Sequence, residues 1–280
     1  MKNFRLILFV LIFSSFLEAK TLFVSDIDDT LKIARIRDTS DTIYYGLQTD
    51  NAFLGMSQVY QLFAKKMGAN AQFLYLSNAS EWLVQGSHQK FLTRHSFPKG
   101  ELRLRRSGEK TDTHKINVLR KKLNSGLYDQ VILVGDNGEK DTRAYHQIHS
   151  EFPKIKIHTF IHQLYSVQAK DDDYLGTQIF SEQIGFATSV EVLAELEKLG
   201  LFSNNEALSL QKSLILKIMD TPLGLDEGVI AIPAWVDCRD LVWNWENDVL
   251  LEFKDFILNR CSEDPSQSYI QVSRRRVIDR

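Results

Sequence analysis

The stretch TLFVSDIDDTL, residues 21–31, joins a short apolar run to a cluster of acids. The run TLFVS is rich in apolar and β-branched residues, which is typical of a buried strand. Asp26 and Asp28 follow it at a spacing of two residues, so in a loop both side chains can turn towards one ligand. Acids after a strand are also common in helix caps and turns, so the rest of the chain has to decide between these two interpretations.

Three further apolar runs with the character of strands follow, at residues 71–76, 130–134 and 155–160. Helix-like segments lie between them, at residues 55–67, 80–94, 114–124 and 141–151. Continuous apolar strands that alternate with amphipathic helices predict an α/β fold, namely a Rossmann-like parallel sheet with flanking helices. In such sheets, ligands bind outside the carboxyl ends of the strands.

Polar side chains collect at those carboxyl ends. Ser77 follows the second predicted strand, and Asp136 and Asp141 follow the third. Hard oxygen ligands on rigid strand ends suit Mg²⁺, which keeps several waters and uses few carboxylates. The Ser77 hydroxyl can hold a phosphoryl oxygen, and Lys115, at the start of a predicted helix, can neutralise its charge. The acidic pair after the first strand then fits a reaction in which one carboxylate attacks phosphorus and the other exchanges protons with the leaving oxygen.

The order of these groups resembles that of the haloacid-dehalogenase superfamily of phosphotransferases, whose four motifs match Asp26-x-Asp28-x-Thr30, Ser77, Lys115 and Gly135-Asp136-x₄-Asp141. The sequence around the motifs is similar to one family in particular, the catalytic domain of the actin-patch-type phosphatidate phosphatases. That resemblance covers roughly residues 21–165 and rests on the segments 25–32, 75–80, 97–100 and 135–141, which read SDIDDTLK, YLSNAS, FPKG and GDNGEKD.

The resemblance implies a Mg²⁺-dependent phosphatase of phosphomonoesters, with phosphatidate as substrate class and diacylglycerol and phosphate as products. It implies that Asp26 is the nucleophile, which forms an aspartyl-phosphate, and that Asp28 is the general acid/base. The residues implied to hold the phosphate group are Ser77, Lys115, Asn78 and Thr30. The residues implied to hold the metal are Asp26, Asp28 through its carbonyl, Asp136, and Asp141 either through water or as an orienting residue.

The chain departs from this family at two positions outside the motifs. Glu81 precedes Trp82 where a Pro is usual, and His162 stands where an Arg is usual, so both positions bear on substrate choice more than on catalysis. The gaps between the motifs leave no room for a large cap domain, which predicts an open site that accepts a lipid or a polymer end. The alternative is that residues 170–280 form a substitute lid.

Composition and the N-terminus bear on location. The 280 residues carry a formal charge of −2 and are 44% hydrophobic, which excludes collagen-like and low-complexity classes and makes nucleic acid an unfavoured partner.

Lys2 and Arg5 precede an apolar run that is too short to span a bilayer, and Ala19 offers a cleavage site. Residues 1–19 are therefore predicted to be a signal peptide, and the mature chain to be periplasmic or secreted, with no transmembrane span. There Cys238 and Cys261 can form a disulfide, although free buried cysteines are equally common.

The remaining chain is predicted to divide into a catalytic domain, residues 20–169, and a mainly helical C-terminal region, residues 170–280. Thr188 and Ser203 each begin a capping-box pattern, and Gly200 ends the first of the two helices. A third helix is predicted across residues 235–258. The tail, residues 262–280, is polar and is expected to be partly disordered.

Two sets of side chains allow more than one interpretation. Trp235, Trp243 and Trp245 fit a membrane anchor, but tryptophans at helical spacing are more often core residues. His146 and His149 are spaced for a metal, but without a third ligand in view surface histidines are the favoured interpretation.

The segment 99–122 carries nine basic against three acidic residues. It fits an anionic phospholipid surface as partner or, more simply, a solvated helix face. Two rival functions also stay open. One is an exported phosphatase for nucleotides or nucleic-acid ends, and the other is a catalytically silent lipid- or protein-binding module on the same fold. Protein partners and oligomeric state do not follow from the sequence.

Overall fold

The computed structural model describes residues 20–37, 45–171 and 174–263. The predicted signal peptide at residues 1–19 lies outside this range, as do two acids of the run at 171–173 and residues 264–280 of the tail. Within the described ranges, no helix combines the length and the apolar composition that a membrane span requires.

The strands are β1 (Thr21–Ser25), β2 (Ala52–Phe53), β3 (Ala71–Ser80), β4 (Glu101–Arg105), β5 (Gln130–Asp136), β6 (Lys156–His162), β7 (Gln183–Phe186) and β8 (Val229–Ile230). Six of them form one sheet in the order β4-β3-β1-β5-β6-β7, and every neighbouring pair is parallel. The short strands β2 and β8 pair with each other. The predicted α/β fold with a parallel sheet is confirmed.

The helices are α1 (Met56–Met67), α2 (Glu81–Arg94), α3 (Thr111–Leu123), α4 (Asp141–Glu151), α5 (Ser189–Lys198), α6 (Asn204–Met219) and α7 (Leu251–Ser262). The first four match the predicted helices to within a few residues. Both predicted capping boxes are present at the starts of α5 and α6. Gly200 follows α5 with a φ of 74°, a left-handed conformation that glycine adopts without steric cost.

The helix predicted across residues 235–258 is wrong over its first half. Residues 235–247 are irregular, and a short 3₁₀ turn at Asp248–Leu250 leads into α7. The spacing of the tryptophans imitated a helix, but it arises because Trp235 and Trp245 are buried from an irregular segment. Trp243 is half-buried and donates its ring N–H to the carbonyl of Trp245 at 2.6 Å. The core interpretation of these tryptophans is therefore confirmed.

The C-terminal region shares the core of the catalytic region. Strand β7 extends the central sheet beside β6, and one hydrophobic cluster joins Phe23 and Tyr60 to Leu193 and Phe253. A disulfide links Cys238 to Cys261 with a Cα–Cα distance of 4.7 Å, which decides the question that the sequence left open. The domain boundary at residues 169 and 170 stays a prediction.

Candidate active site

The register of the sheet brings three polar strand ends together. Ser25, the last residue of β1, lies opposite Tyr75 of β3 on one side and Val134 of β5 on the other. Because the strands are parallel, Asp26, Ser77 and Asp136 follow at the same edge of the sheet, within two residues of those partners.

Asp26 is held in place from several directions. Its backbone N–H donates to the carbonyl of Val134 at 2.8 Å. Its Oδ1 atom accepts a hydrogen bond from Lys115 Nζ at 2.5 Å, and its Oδ2 atom accepts one from Thr30 Oγ1 at 3.2 Å. The side chain is buried, so the carboxylate has a fixed orientation at the end of β1.

Lys115 connects two of the acids. From the first turns of α3 its Nζ atom reaches Asp26 Oδ1 and Asp141 Oδ1, each at 2.5 Å. Burial lowers the pKa of Lys115, but the attraction of Asp141 and Asp26 outweighs burial and holds that pKa well above its usual value. Lys115 therefore stays charged and offers its charge at the centre of the site.

Asp26, Asp136 and Asp141 form a buried acidic cluster, with one carboxylate oxygen of each within 4.8 Å of the others. The Oδ1 atom of Asp136 accepts the N–H of Gly138 at 2.6 Å, while Oδ2 of Asp141 has no hydrogen-bond partner among the described residues. Burial raises the pKa of Asp26 and of Asp136 well above the usual value, and the negative charge of Asp141 raises both further. Three buried acids, one ammonium group and an unpartnered oxygen fit a bound divalent cation.

Gly135, between the last apolar residue of β5 and Asp136, allows the close approach of Asp141. A Cβ atom at this position would lie 2.3 Å from Asp141 Oδ2 and 2.8 Å from a ring carbon of Tyr145. A side chain here would displace the acid from the cluster, which explains why the motif has glycine before Asp136.

Asp28 lies in a different environment. Its Oδ2 atom is 3.0 Å from His88 Nε2, and its Oδ1 atom is 3.9 Å from Lys32 Nζ. Burial raises the pKa of Asp28, but the nearby His88 and Lys32 outweigh burial and lower that pKa below its usual value. The two motif carboxylates therefore have pKa values that the protein pushes apart, as in sites where two acids take different roles.

Asp29, between Asp28 and Thr30, organises the loop that carries the motif. It has a left-handed backbone with a φ of 59°. Its carboxylate accepts the backbone N–H groups of residues 34, 35 and 36 at 2.8 to 2.9 Å, together with the hydroxyl of Tyr165 at 2.5 Å. Sequence reasoning gave Asp29 no role, although an acid at a tight turn is a known signal for such side-chain to backbone bonds.

The predicted phosphate-binding residues divide into two groups. Thr30 and Lys115 contact Asp26 directly, whereas Ser77 and Asn78 are placed at the neighbouring strand end by the sheet register. Ser77 Oγ accepts the N–H of Ala79 at 3.0 Å. The side-chain oxygen of Asn78 is buried without a hydrogen-bond partner in the described structure.

Residues 21–163 match the sequence profile of a family described as phosphatidate phosphatase APP1, catalytic domain. The chain belongs to this family. The match covers just over half of the 280 residues and includes all the motif residues described above. The family is a phosphatase family, and the chain is accordingly a phosphatase.

Solved structures give a weaker likeness. A structure of the Pnkp1/Rnl/Hen1 complex is similar with a TM-score of 0.38 and 15% identity, over 51% of this chain and 47% of that chain. A structure of the Pnkp1/Rnl/Hen1 RNA repair complex is similar with a TM-score of 0.30 and 13% identity, over 60% and 43%. The chain thus spans less than half the length of these chains, and similarity at this level carries no argument about function. No curated protein sequence matches the chain.

His162, at the position where the resemblance to this family leads one to expect an arginine, is a structural link in this phosphatase. Its ring nitrogens lie 3.0 Å from the carbonyl oxygen of Asp29 and 3.1 Å from that of Ala187. Burial lowers the pKa of His162 to about 4. The side chain thus joins the motif loop to the residues after β7.

The basic segment 99–122 is largely neutralised in the folded protein. Its ion pairs include Arg103–Glu109, Arg106–Glu81, Arg120–Glu151 and Lys122–Glu101. A groove of about 780 Å³ lies beside α3 and is lined by acidic and basic members of the segment, but by no member of the acidic cluster. The solvated-face interpretation is therefore favoured for most of the segment.

The histidine pair on α4 lies at the surface. His146 Nδ1 is 2.6 Å from Glu182 Oε1, and its ring stacks on Phe180 at 3.8 Å. His149 Nδ1 is 3.9 Å from the same carboxylate oxygen. Within the part of the chain that the structure describes, the acidic cluster is the one group of three or more potential metal ligands, and it includes neither histidine.

Proposed function

We propose that this phosphatase is an exported, Mg²⁺-dependent phosphatidate phosphatase of the haloacid-dehalogenase type, with Asp26 as its nucleophile. The observation that carries the proposal is the position of Asp26, a buried carboxylate between Lys115 and the acids Asp136 and Asp141. Membership of the phosphatidate phosphatase APP1 catalytic domain family supports the substrate class.

The first chemical step assigned to Asp26 is attack of a carboxylate oxygen on the phosphorus of the substrate. A bond forms between that oxygen and phosphorus while the bond from phosphorus to the glycerol oxygen breaks. Asp28 donates a proton to the departing oxygen, which yields diacylglycerol and an aspartyl-phosphate. Water then attacks phosphorus and gives a proton to Asp28, which releases phosphate and regenerates Asp26.

The pKa shifts of Asp26 and Asp28 run opposite to what the proposed roles need. Burial raises the pKa of Asp26, although a nucleophile must be ionised. His88 lowers the pKa of Asp28 against the effect of burial, although an acid catalyst must carry a proton. Positive charge beside Asp26 would lower the pKa of Asp26, and the negative charge of a bound phosphate would raise the pKa of Asp28.

The acidic cluster supplies the place for that positive charge. The residues that would hold Mg²⁺ are Asp26, Asp136 and Asp141 through side chains and Asp28 through its carbonyl. When bound, Mg²⁺ neutralises the charge that develops on the transferring phosphoryl group. The chain's own contribution is Lys115, whose ammonium group holds Asp26 and can also bind a phosphoryl oxygen.

Two features of the chain, its N-terminal segment and its disulfide, support export. The N-terminal pattern of residues 1–19 fits a signal peptide. The disulfide between Cys238 and Cys261 supports export, because disulfides persist in oxidising compartments.

The test is a panel of phosphomonoesters assayed for phosphate release with Mg²⁺ and with EDTA. The panel contains phosphatidate in mixed micelles, nucleoside monophosphates, and oligonucleotides with terminal phosphates. The proposal predicts turnover of phosphatidate that EDTA abolishes. Strong turnover of nucleotides with none of phosphatidate would overturn the substrate class, and the absence of turnover on every substrate would favour a silent binding module.

A further inference from the structure

Trp82 is the most exposed large apolar side chain among the described residues, with 82% of its surface accessible. It lies in the first turn of α2, five residues after Ser77, and therefore at the carboxyl edge of the sheet that carries the acidic cluster. Exposing a tryptophan to water has a free-energy cost, which is offset where the indole can enter another phase.

Two more exposed apolar side chains accompany Trp82. Leu83 follows it on α2 and is 43% exposed. Ser87, one turn later on the face of Leu83, donates its hydroxyl to the carbonyl of Gly46 at 3.2 Å, which places the exposed Leu47 alongside this part of α2. We call Leu47, Trp82 and Leu83 the apolar rim.

Basic side chains border the apolar rim. Arg105 donates its Nε–H to the carbonyl of Asn78 at 2.9 Å, which anchors the loop after β4 next to the start of α2. Arg106, in the same loop, is well exposed and lies 3.2 Å from the carboxylate of Glu81, the residue before Trp82. Lys110, also exposed, ends the loop.

An exposed indole with leucines beside it and arginine at its border is the composition of a surface that enters the interface of a bilayer. Tryptophan prefers the headgroup level, leucine the acyl boundary, and arginine the anionic headgroups. The apolar rim also lies at the same edge of the sheet as the acidic cluster. Docking through the rim would therefore bring the phosphate of a lipid headgroup close to the candidate active site.

We propose that the apolar rim, with Arg106 at its border, docks the protein onto an anionic phospholipid bilayer. This inference rests on the proposed function for its biological meaning, but docking itself is measured without turnover. The bilayer is chosen over a protein partner because the end of β4 and the loop after it keep a surplus of positive charge: Arg103, Arg105, Arg106 and Lys110 outnumber the neighbouring acids Glu81 and Glu109, and this surplus complements anionic lipid.

The experiment is co-sedimentation with phosphatidylcholine vesicles, prepared with and without phosphatidate. Wild type, Trp82→Ala and Arg106→Gln are compared with Leu216→Ala, which removes a side chain that is 65% exposed on α6. We expect Trp82→Ala to weaken binding to both vesicle types about tenfold, because it removes the side chain of the apolar rim that would bury the largest apolar area in the bilayer. We expect Arg106→Gln to weaken binding only where phosphatidate is present, and Leu216→Ala to bind as wild type.

Turnover separates the inference from the proposed function. All four proteins are expected to hydrolyse the water-soluble p-nitrophenyl phosphate at the same rate, which also shows that each is folded. Vesicle binding that depends on Trp82 supports the rim even if phosphatidate is not hydrolysed. Equal binding by Trp82→Ala and wild type, an equal loss in Leu216→Ala, or a Trp82-dependent dimer in the absence of vesicles would overturn the proposal.

Discussion

His88 Nε2 lies 3.0 Å from Asp28 Oδ2, and the histidine side chain is fully buried in α2. This contact ties the helix after Ser77 to the loop after β1, the two segments that carry the first two motifs. Lys32 Nζ lies farther from the Asp28 carboxylate, at 3.9 Å. The shorter contact with His88 therefore fixes the orientation of this carboxylate.

His88→Ala should therefore lower kcat about tenfold to a hundredfold, because a group that orients a reacting carboxylate is worth that much. KM should change little, since the contact does not involve the phosphate-binding residues. Steady-state kinetics on p-nitrophenyl phosphate measure both constants.

The controls for His88 lie on the same helix. Gln89→Ala alters the next, exposed residue and should leave kcat unchanged. His88→Gln keeps a donor near Asp28 and should recover part of the lost rate. If His88→Ala keeps wild-type kcat, the positioning role is wrong.

Asp136→Asn should stabilise the metal-free protein and remove its response to Mg²⁺. Burial and the neighbouring acids raise the pKa of Asp136, so the folded state holds a proton that the unfolded chain releases above about pH 4. Metal-free wild type should thus lose stability as the pH rises from about 4, and the substitution should reduce that loss.

Thermal unfolding with and without Mg²⁺ measures this effect. The wild-type Tm should rise with Mg²⁺, and the Tm of Asp136→Asn should be higher without metal and insensitive to it. Asp112→Asn, which changes an exposed acid on α3, is the matched control. An equal Mg²⁺ response in Asp136→Asn and wild type would exclude Asp136 as a ligand.

Loss of the Cys238–Cys261 disulfide should destabilise the chain. The bond joins two residues that are 23 positions apart in the sequence, one in an irregular segment and one in α7, and both cysteines are buried in the core. Its removal should cost about 3 kcal/mol, or roughly 10 °C in Tm. Thermal unfolding with and without reductant measures the loss, with the Cys238→Ser/Cys261→Ser double variant as control. Two free thiols on titration of the unreduced protein would show that the bond does not form.

His162 and Glu191 should give pH dependences of opposite sign. Burial lowers the pKa of His162 to about 4, so its contribution to stability is lost as the pH falls from about 6.5 to about 4. Burial raises the pKa of Glu191 to about 7, so its contribution is lost as the pH rises from about 4.5 to about 7. Each effect amounts to about 3 kcal/mol.

Denaturant unfolding across this range separates the two groups. The stability of His162→Gln relative to wild type should increase as the pH falls, and that of Glu191→Gln should increase as the pH rises. Parallel pH profiles for the two variants would contradict the burial of one or both groups in solution.

The central sheet could be predicted because its strands are continuous apolar runs with polar ends. β1 and β5 are buried on both faces, and such strands have a sequence signature that a half-exposed strand lacks. β7 has four residues, too few for a periodic signal, and joins the sheet only through its pairing with β6. A helix was wrongly predicted after Trp235 because the buried tryptophans of this irregular segment have a spacing that resembles helical periodicity.

The part of the site that the motif residues form could be predicted from the sequence. Asp26, Lys115, Asp136 and Asp141 come together as their positions after strands and at helix starts imply. His88 could not be found, because a single histidine inside a helix has no motif and meets Asp28 only in the folded chain. The pairing of the cysteines also depends on distance in space, which spacing in the sequence does not provide.

The most direct test of the central claim is phosphate release from phosphatidate in mixed micelles with Mg²⁺, compared between wild type and Asp26→Asn. The substitution keeps the size of the side chain but removes the nucleophilic carboxylate, so wild type should release phosphate and the variant should lose at least about a thousandfold in rate. Retention of a substantial fraction of the wild-type rate by Asp26→Asn would contradict the assignment of Asp26 as nucleophile.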